Sequence, residues 1–228
     1  AHRASSSRRR RRRSRRRGGR GMEAAAAGDN SGEVVYDVVV VGAGIMGSCA
    51  AYEVARRGRS VLLLEQFDLL HHRGSSHGES RTLRATYPEP YYPAMVLHSL
   101  RLWESAQAEA GYTVLTRTPH LDLGPAADPS LLPAADNCRS SSLPVRIISP
   151  GDDRELFSGA FAIPDGWIGV VTQVGGVINP TKAVSMFQSL AIRRGAVVRD
   201  RTEVTAIERD EGGAGIRVSA GGGRGVRG

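Results

Sequence analysis

Residues 37–47 read Asp-Val-Val-Val-Val-Gly-Ala-Gly-Ile-Met-Gly, a β-branched run that stops at a glycine and continues into the pattern Gly-x-Gly-x-x-Gly. Four consecutive valines without alternation are typical of a strand buried on both faces of a parallel sheet. The apolar spacing from Met46 to Arg57, ended by Gly58, predicts a helix directly after the turn. A second apolar run at Val61–Leu64 predicts another buried strand, which completes one right-handed β-α-β unit.

The three glycines of this turn are each needed for a different physical reason. Gly42 makes the tight turn, Gly44 lets the backbone approach a pyrophosphate, and Gly47 lets the helix pack closely on the strand. Glu65 follows the second strand, where its carboxylate would accept hydrogen bonds from adenosine ribose hydroxyls and repel a 2′-phosphate. The segment therefore predicts a dinucleotide site that disfavours NADP, and a glycine-rich turn without a ligand is the weaker alternative.

Composition excludes several classes of protein. The chain has 228 residues, of which 40% are hydrophobic and 24% charged, enough for a domain with a buried core. Its two cysteines, Cys49 and Cys138, cannot form a framework of disulfides, which indicates a reducing compartment. No apolar run approaches the roughly 20 residues that cross a bilayer. We therefore expect a soluble protein with neither a disulfide scaffold nor a membrane span.

The net charge of +8 is concentrated at the amino terminus. Residues 1–21 contain 11 arginines and no acidic residue, which leaves a net charge of −3 for the remainder. Such a block of like charge could serve as a basic arm on a nucleic acid or an anionic surface. Because Met22 and the residues after it look like an ordinary translation start, the favoured interpretation is upstream sequence read through, or a partial leader.

Two further helices are well marked in the sequence. Tyr92–Ala110 has an apolar stripe and a proline in its first turn, and Gly111 follows as its stop signal. The second helix begins at Pro180 after the cap residue Asn179 and ends at Gly195. The helix at Tyr92–Ala110 is expected to contribute its apolar stripe to the core, and the helix at Pro180 is expected to be scaffold under the sheet.

The rest of the chain is predicted as short strands and loops. Residues 67–80 form a polar loop longer than most connections in compact domains, and such loops are usually functional. Residues 126–142, rich in Pro, Ala, Asp and Ser, predict a surface excursion that includes Cys138. Short strands are predicted at 114–116, 120–123, 196–199, 202–207 and 216–219, with a turn at 211–215 joining the last two.

The long loop continues as Gly-Ser-Ser-His-Gly-Glu-Ser-Arg-Thr-Leu-Arg over residues 74–84. Together with residues 37–65, the pair Leu102-Trp103, and residues 118–124 and 175–180, this motif resembles the sarcosine oxidase and pipecolate oxidase group of flavoproteins. That group belongs to the D-amino acid oxidase superfamily, and the resemblance runs from about residue 37 to residue 218. Because an NAD dehydrogenase would continue into further β-α repeats, the loop favours FAD as the cofactor.

The resemblance implies a site residue by residue. The cofactor-binding positions are Gly42, Gly44, Ile45, Met46, Gly47, Glu65, Gln66, Ser75, Ser76, Ser80, Arg81 and Val204. The catalytic positions are His77, Arg81 and Arg84, and Arg84 matches the arginine whose planar fork pairs with the substrate carboxylate. Considered without the resemblance, Arg81 and Arg84 would be interpreted as solvated surface arginines.

The resemblance also implies the chemistry and the partners. The reaction is oxidation of the C–N bond of a secondary or cyclic amino acid of the sarcosine or pipecolate type, with molecular oxygen reduced to hydrogen peroxide. We expect no metal, because the spacing of His71, His72 and His77 fits no common ligand set. The sequence does not assign the amino acid that is oxidised, or whether the flavin is covalently bound. It is compatible with a peroxisomal location without assigning one.

The fold class implied is α/β, a Rossmann-like FAD-binding β-α-β domain with part of an α+β substrate domain. The expected division is a leader at 1–33, the FAD-binding unit and flavin loop at 34–111, a partial substrate domain at 112–174, a return to the FAD-binding domain at 175–219, and a low-complexity tail at 220–228. Members of the group have roughly twice this folded length, so we expect the amino-terminal part of such an enzyme, without turnover by itself. The alternatives are an inactive adenine-nucleotide-binding fragment and a nucleic-acid-associated protein.

Overall fold

Two parallel strands and the helix between them lie near the start of the described residues. The computed structural model describes residues 34–210, 215–221 and 226–227. The first elements are β1 (Val34–Val35), β2 (Val38–Val41), α1 (Ile45–Arg56) and β3 (Val61–Leu64). Strands β2 and β3 pair in parallel along their whole length. The predicted β-α-β unit is therefore confirmed.

The remaining elements alternate short strands with four helices. They are β4 (Arg81–Arg84), α2 (Tyr92–Ala110), β5 (Leu115–Arg117), β6 (His120–Pro125), α3 (Leu131–Ser140), β7 (Val145–Ile148), α4 (Asp152–Phe157), β8 (Trp167–Thr172), β9 (Gly175–Ile178), α5 (Pro180–Arg193), β10 (Val197–Arg199), β11 (Val204–Arg209), β12 (Ile216–Ala220) and β13 (Val226–Arg227). Helices α2 and α5 confirm the sequence prediction. The predicted cap of α5 is present, because the Asn179 side chain accepts a hydrogen bond of 2.9 Å from the Lys182 N–H.

The strands in the described residues form four small sheets. The parallel sheet has the order β10-β3-β2, and a second sheet, β1-β13-β12-β11, contains the antiparallel pair β11 and β12. Two further antiparallel sheets have the orders β4-β9-β5 and β6-β8-β7. The mixture of a parallel β-α-β sheet with antiparallel sheets is the expected α/β class with an α+β part.

Strand β3 is the centre of the core because both of its faces are covered. Val61 and Leu63 belong to the apolar cluster formed with α1, α2 and α5. Leu62 and Leu64 point to the opposite face, where they pack against Val218 of β12. All four side chains are buried, so helices, parallel sheet and β11–β12 make three layers around this strand.

The prediction that β2 is buried on both faces is wrong. In the described residues β2 lies at the edge of the parallel sheet, and β3 takes the central position. Its valines are half-buried, and Val41 is 53% exposed. A run of β-branched residues indicates a strand with apolar surroundings, but the order of strands in the sheet decides how much of that surface is covered.

The predicted surface excursion at 126–142 contains instead a helix with one buried face. Helix α3 packs Leu131 and Ala135 against Val170 of β8. Cys138 is also fully buried, and its Sγ donates a hydrogen bond of 3.3 Å to the Ala85 carbonyl. Small apolar residues at helical spacing supply this face, and the polar composition around them concealed it.

Other parts of the sequence carried weaker signals. The patterns assign no element to residues 143–174, where the structure has β7, α4 and β8. Residues 226–227, within the expected low-complexity tail, form β13, which pairs with β1 and β12. The leader at 1–33 and most of the turn at 211–215 lie outside the described residues. No helix in the described part of the chain has the length and apolar character needed to cross a membrane.

We predict that Gly47→Ala destabilises the fold by roughly 1–3 kcal/mol or more, which is the usual cost of overpacking a close contact. A Cβ at this position would overlap the Gly42 carbonyl oxygen, and it would lie 3.3 Å from Cγ1 of Val40. Urea unfolding followed by circular dichroism measures the effect. Gly74→Ala is the matched control, because the nearest atom to its Cβ, apart from its neighbours along the chain, would be Cε1 of His71 at 3.8 Å. Equal stability of the two variants would contradict the prediction.

Candidate functional site: a nucleotide cavity beside a second, apolar cavity

The glycine turn at the carboxyl end of β2 has the geometry that its sequence requires. Gly42 has a φ of +94°, in the left-handed region that favours glycine. Its N–H donates a hydrogen bond of 2.7 Å to the Leu64 carbonyl, so the turn stays attached to the end of β3. The turn therefore opens at the edge where the parallel strands end, which is where open α/β sheets bind their ligands.

Glu65, the residue after β3, is buried and its carboxylate connects three segments. Oε2 accepts a hydrogen bond of 2.9 Å from the Ala43 N–H, and Oε1 accepts one of 3.1 Å from the Phe67 N–H. Nε2 of His71 lies 3.3 Å from Oε1. Since a carboxylate oxygen can accept about two hydrogen bonds, Oε2 keeps capacity for a ligand hydroxyl.

The long loop contacts the start of α1 through Ser76. Gly44 precedes α1 and has no side chain to cap it, and the Ile45 N–H instead donates a hydrogen bond of 3.0 Å to Ser76 Oγ. A Cβ on Gly44 would lie 3.1 Å from the same oxygen. Glycine at this position thus allows the loop, as well as a ligand, to approach the backbone.

These segments enclose a cavity of about 430 Å³, within the range typical of small-molecule sites. We call it the nucleotide cavity. Its lining includes these predicted cofactor-binding residues: Gly42, Gly44, Glu65, Gln66, Ser75, Ser76 and Val204. The structure thus brings together residues from four separate parts of the chain. Backbone N–H groups, a buried carboxylate and hydroxyl groups are the donor and acceptor set that suits the ADP end of FAD.

A second cavity of about 570 Å³ shares the lining residues Ser75 and Ser76 with the first. We call it the apolar cavity. Three other predicted site residues line it: Ile45, Met46 and Arg81. Its apolar wall comes from residues that the sequence placed in the core or did not assign to the site: Leu102, Trp103, Ile178 and Phe187. The Trp103 and Phe187 rings meet edge to face at 5.2 Å.

Arg81 holds the end of the long loop. Its Nε and Nη2 donate hydrogen bonds of 3.2 and 3.0 Å to the Ser75 carbonyl, and Nη1 donates one of 2.9 Å to the Ser80 carbonyl. His77, in the same loop, contacts the His72 ring edge to face at 5.4 Å. His77, Ser80, Gly47 and Arg84 are not among the residues that line either cavity.

Arg84 belongs to a separate cluster, the Asp122 cluster, which consists of Arg84, Thr86, His120 and Asp122. Asp122 Oδ1 accepts a hydrogen bond from Arg84 Nη1 and lies near His120 Nε2, both at 3.1 Å, while Oδ2 accepts one from Thr86 Oγ1. The Arg84 guanidinium also lies 4.7 Å from the centroid of the Tyr87 ring. Because side chains alternate along a strand, Arg81 and Arg84 of β4 point to opposite faces.

The electrostatics of this cluster favour an ionised Asp122. Burial acts to raise the pKa of Asp122, but the hydrogen bonds from His120 and Thr86 and the positive charge of Arg84 outweigh it. The pKa of Asp122 therefore lies below its usual value. The contact with Asp122 occupies Nη1 of Arg84, so the rest of the guanidinium fork is not used in this ion pair.

The two cysteines are poor nucleophiles in this structure. Burial, aided by the nearby charge of Glu53, raises the pKa of the Cys49 thiol to about 12, and burial also raises that of Cys138. Among the described residues no group of three or more His, Cys, Asp or Glu side chains is arranged to hold a metal ion. The polar groups lining the two cavities include backbone amides, hydroxyls, arginines, carboxylates, the Gln66 amide, the His71 imidazole and the Cys49 thiol.

Sequence reasoning missed several residues that line the nucleotide cavity, among them Phe67, His71 and Arg73 of the long loop. From the sequence, His71 was considered only as a candidate metal ligand, and its spacing argued against that role. The signal that could have found them is their place in the long loop, between Glu65 and the serine motif, because a loop that begins and ends at a ligand site must pass over it.

A parallel β-α-β unit, a glycine turn and a carboxylate at the end of the second strand define a dinucleotide-binding protein. Comparison with known proteins gives the family. The family described as FAD dependent oxidoreductase matches residues 37–227, and the chain belongs to it. The resemblance inferred from the sequence is therefore confirmed.

Several curated relatives are sarcosine oxidases. An Arabidopsis thaliana protein named "Probable sarcosine oxidase" is 58% identical over 184 residues, which cover 80% of this chain and 44% of that protein. The Homo sapiens protein named "Peroxisomal sarcosine oxidase" is 34% identical and is also covered to 44%, with 76% of this chain aligned. The chain thus spans less than half the length of these relatives.

Solved structures show the same fold. NikD, described as an unusual amino acid oxidase essential for nikkomycin biosynthesis, superimposes with a TM-score of 0.71 at 25% identity. The superposition covers 85% of this chain and 49% of NikD. L-proline dehydrogenase from P. horikoshii has a TM-score of 0.70 at 22% identity, with 85% of this chain and 50% of that chain covered, and supports the fold alone.

We predict that Asp122→Asn destabilises the chain at pH 7 by roughly 1–3 kcal/mol, because it weakens charged hydrogen bonds in a half-buried cluster. The folded-state pKa of Asp122 is lowered, so its contribution is complete above the unfolded value of about 3.9 and is lost as the pH falls through the folded pKa. The difference between variant and wild type should therefore shrink below about pH 4. Urea unfolding at pH 7 and pH 3 measures it. Asp136→Asn, an exposed partner of Arg139, is the control and should change little. A difference independent of pH would refute the role of the ionised carboxylate.

Proposed function

We propose that the chain binds FAD, with the ADP end in the nucleotide cavity and the flavin end directed past Ser75 and Ser76 toward the apolar cavity. The observation that carries the proposal is the shared wall of the two cavities. One side has the glycine turn and Glu65, which suit a nucleotide, and the other has apolar side chains with Arg81, which suit a flat aromatic ring system with polar edges. Membership of an FAD dependent family supports the same cofactor.

We further propose that the whole protein oxidises the C–N bond of a secondary or cyclic amino acid of the sarcosine or pipecolate type. The names of the curated relatives support this substrate class. Bound FAD would supply the acceptor for the hydride. Reoxidation of the reduced flavin by molecular oxygen would yield hydrogen peroxide. The amino acid loses a hydride and a proton to become an imine, and water then hydrolyses the imine.

The chain's own residues would bind and orient the substrate. Arg84 binds the substrate carboxylate with the part of its guanidinium fork that the Asp122 contact leaves available, and Asp122 and Tyr87 limit its movement. Arg81 keeps the loop beside the flavin closed through its three carbonyl contacts. For His77 and Ser80, which line neither cavity, the proposed roles rest on the resemblance of the loop motif.

The sheets support the proposed division of the chain. The sheet β6-β8-β7 and helix α3 lie wholly within residues 112–174, the proposed substrate side. Strand β9, from the proposed return segment, pairs with β4 on one side and β5 on the other. The sheet β4-β9-β5 thus joins the cofactor side to the substrate side, and Arg84 lies at the end of β4.

We predict that the chain binds ADP at least about tenfold more tightly than 2′-phospho-ADP, a difference of about 1.4 kcal/mol. The buried Glu65 carboxylate would meet the added phosphate with like charge. Isothermal titration of the purified chain measures both affinities. Glu65→Gln should reduce the preference, and Glu208→Gln, on the exposed part of β11, should leave it unchanged. Tighter binding of the 2′-phosphorylated ligand would refute the proposed ribose contact.

We predict that Arg84→Lys in the whole protein raises the substrate KM and lowers kcat/KM roughly ten- to a hundredfold, because a charged hydrogen bond to the carboxylate is lost. The flavin content should stay unchanged, whereas Arg81→Ala should reduce flavin retention. Peroxide formation is measured with sarcosine, pipecolate and proline in the presence of FAD. Arg117→Lys, an exposed pair with Glu104, is the control. If the phenotypes of the Arg81 and Arg84 variants were exchanged, the assignment of these two residues would be wrong. Absence of turnover with all three substrates would contradict the proposed reaction.

A further inference from the structure

Arg73 places a positive charge at the nucleotide cavity. It lines the cavity, and its guanidinium carbon lies 4.4 Å from the centroid of the Phe67 ring. Among the described lining residues it is the one lysine or arginine, and no described carboxylate lies within ion-pair distance of its guanidinium. An arginine held over an aromatic ring without an acidic partner keeps its N–H donors available for an anion.

The glycine turn offers fewer backbone donors than its sequence pattern implies. The Gly42 N–H donates to the Leu64 carbonyl, the Ala43 N–H to Glu65 Oε2, and the Ile45 N–H to Ser76 Oγ. Three N–H groups that could have bound a diphosphate thus have partners within the chain. A diphosphate at this turn therefore needs a further source of positive potential.

The charges around the cavity strengthen that requirement. Glu65 and Glu203 both line it, so without Arg73 the lining would carry two negative charges against an anionic ligand. Arginine is well suited to offset them, because its planar fork donates two parallel hydrogen bonds to phosphate oxygens.

The loop holds Arg73 in place before a ligand arrives. The Arg73 N–H donates a hydrogen bond of 2.9 Å to His71 Nδ1, and His71 Nε2 lies 3.3 Å from Glu65 Oε1. The Phe67 N–H donates to that same Glu65 oxygen. The ring beneath the guanidinium and the turn that carries it are thus both attached to one buried carboxylate, which lowers the ordering cost of binding.

We propose that Arg73 binds the diphosphate of the ADP moiety in the nucleotide cavity, supplying the charge that the partly occupied glycine turn does not. This inference rests on the proposed cofactor site and adds to it a residue that the glycine motif does not predict.

Isothermal titration of the chain with ADP and with adenosine tests the assignment, because only ADP carries the diphosphate. Arg73→Gln should weaken ADP binding roughly ten- to a hundredfold and leave adenosine binding unchanged. Arg73→Lys, which keeps the charge without the fork, should lose less. Arg101→Gln, exposed on α2, is the matched control and should bind both ligands as the wild type does. The same order of affinities is expected with FAD in place of ADP.

Raising the salt concentration gives a second readout, since wild-type affinity for ADP should fall more steeply with salt than that of Arg73→Gln. Unchanged ADP binding by Arg73→Gln would overturn the inference and leave the proposed cofactor site standing. Equal losses for ADP and adenosine, in both Arg73 variants, would assign Arg73 a structural role and also overturn it. A wild-type chain that binds neither FAD nor ADP would overturn the proposed cofactor site itself, and this inference with it.

Discussion

The buried carboxylate of Glu65 is the interaction on which the nucleotide cavity depends. It accepts the N–H of Ala43 in the glycine turn and the N–H of Phe67 at the start of the long loop. The backbone of the same residue contacts Arg199 and Thr202, next to the wall formed by β11. One residue therefore fixes three walls of the cavity at once. Because buried N–H groups without partners are costly, these hydrogen bonds stabilise the spacing of the three walls.

The long loop between β3 and β4 is held by contacts distributed along it. Ser76 caps the start of α1, and Arg81 donates three hydrogen bonds to the carbonyls of Ser75 and Ser80. Toward its beginning, His71 accepts the Arg73 N–H and approaches Glu65. A loop without regular hydrogen bonding gains its order in this way from side chains, and its order is coupled to the glycine turn that it covers.

Strand β4 separates the two kinds of chemistry that the site combines. Arg81 lines the apolar cavity and holds the loop, while Arg84 pairs with Asp122 of β6 in the sheet β6-β8-β7. The pairing of β4 with β9 fixes both faces relative to α5, which follows directly after β9. A single strand thus sets the distance between the group that holds the flavin loop and the group proposed to bind substrate.

The sequence by itself determined the β-α-β unit, the helices at Tyr92–Ala110 and Pro180–Arg193, and the family, because these depend on local periodicity, caps and a long motif. It also named seven of the eighteen residues that line the nucleotide cavity. Only the tertiary structure decided that β2 is half-exposed, that Cys138 is buried in a helix, that Ser76 occupies the first N–H of α1, and that Arg84 is paired with Asp122. These depend on strand order and on contacts between residues 31 or more positions apart, which no local pattern encodes.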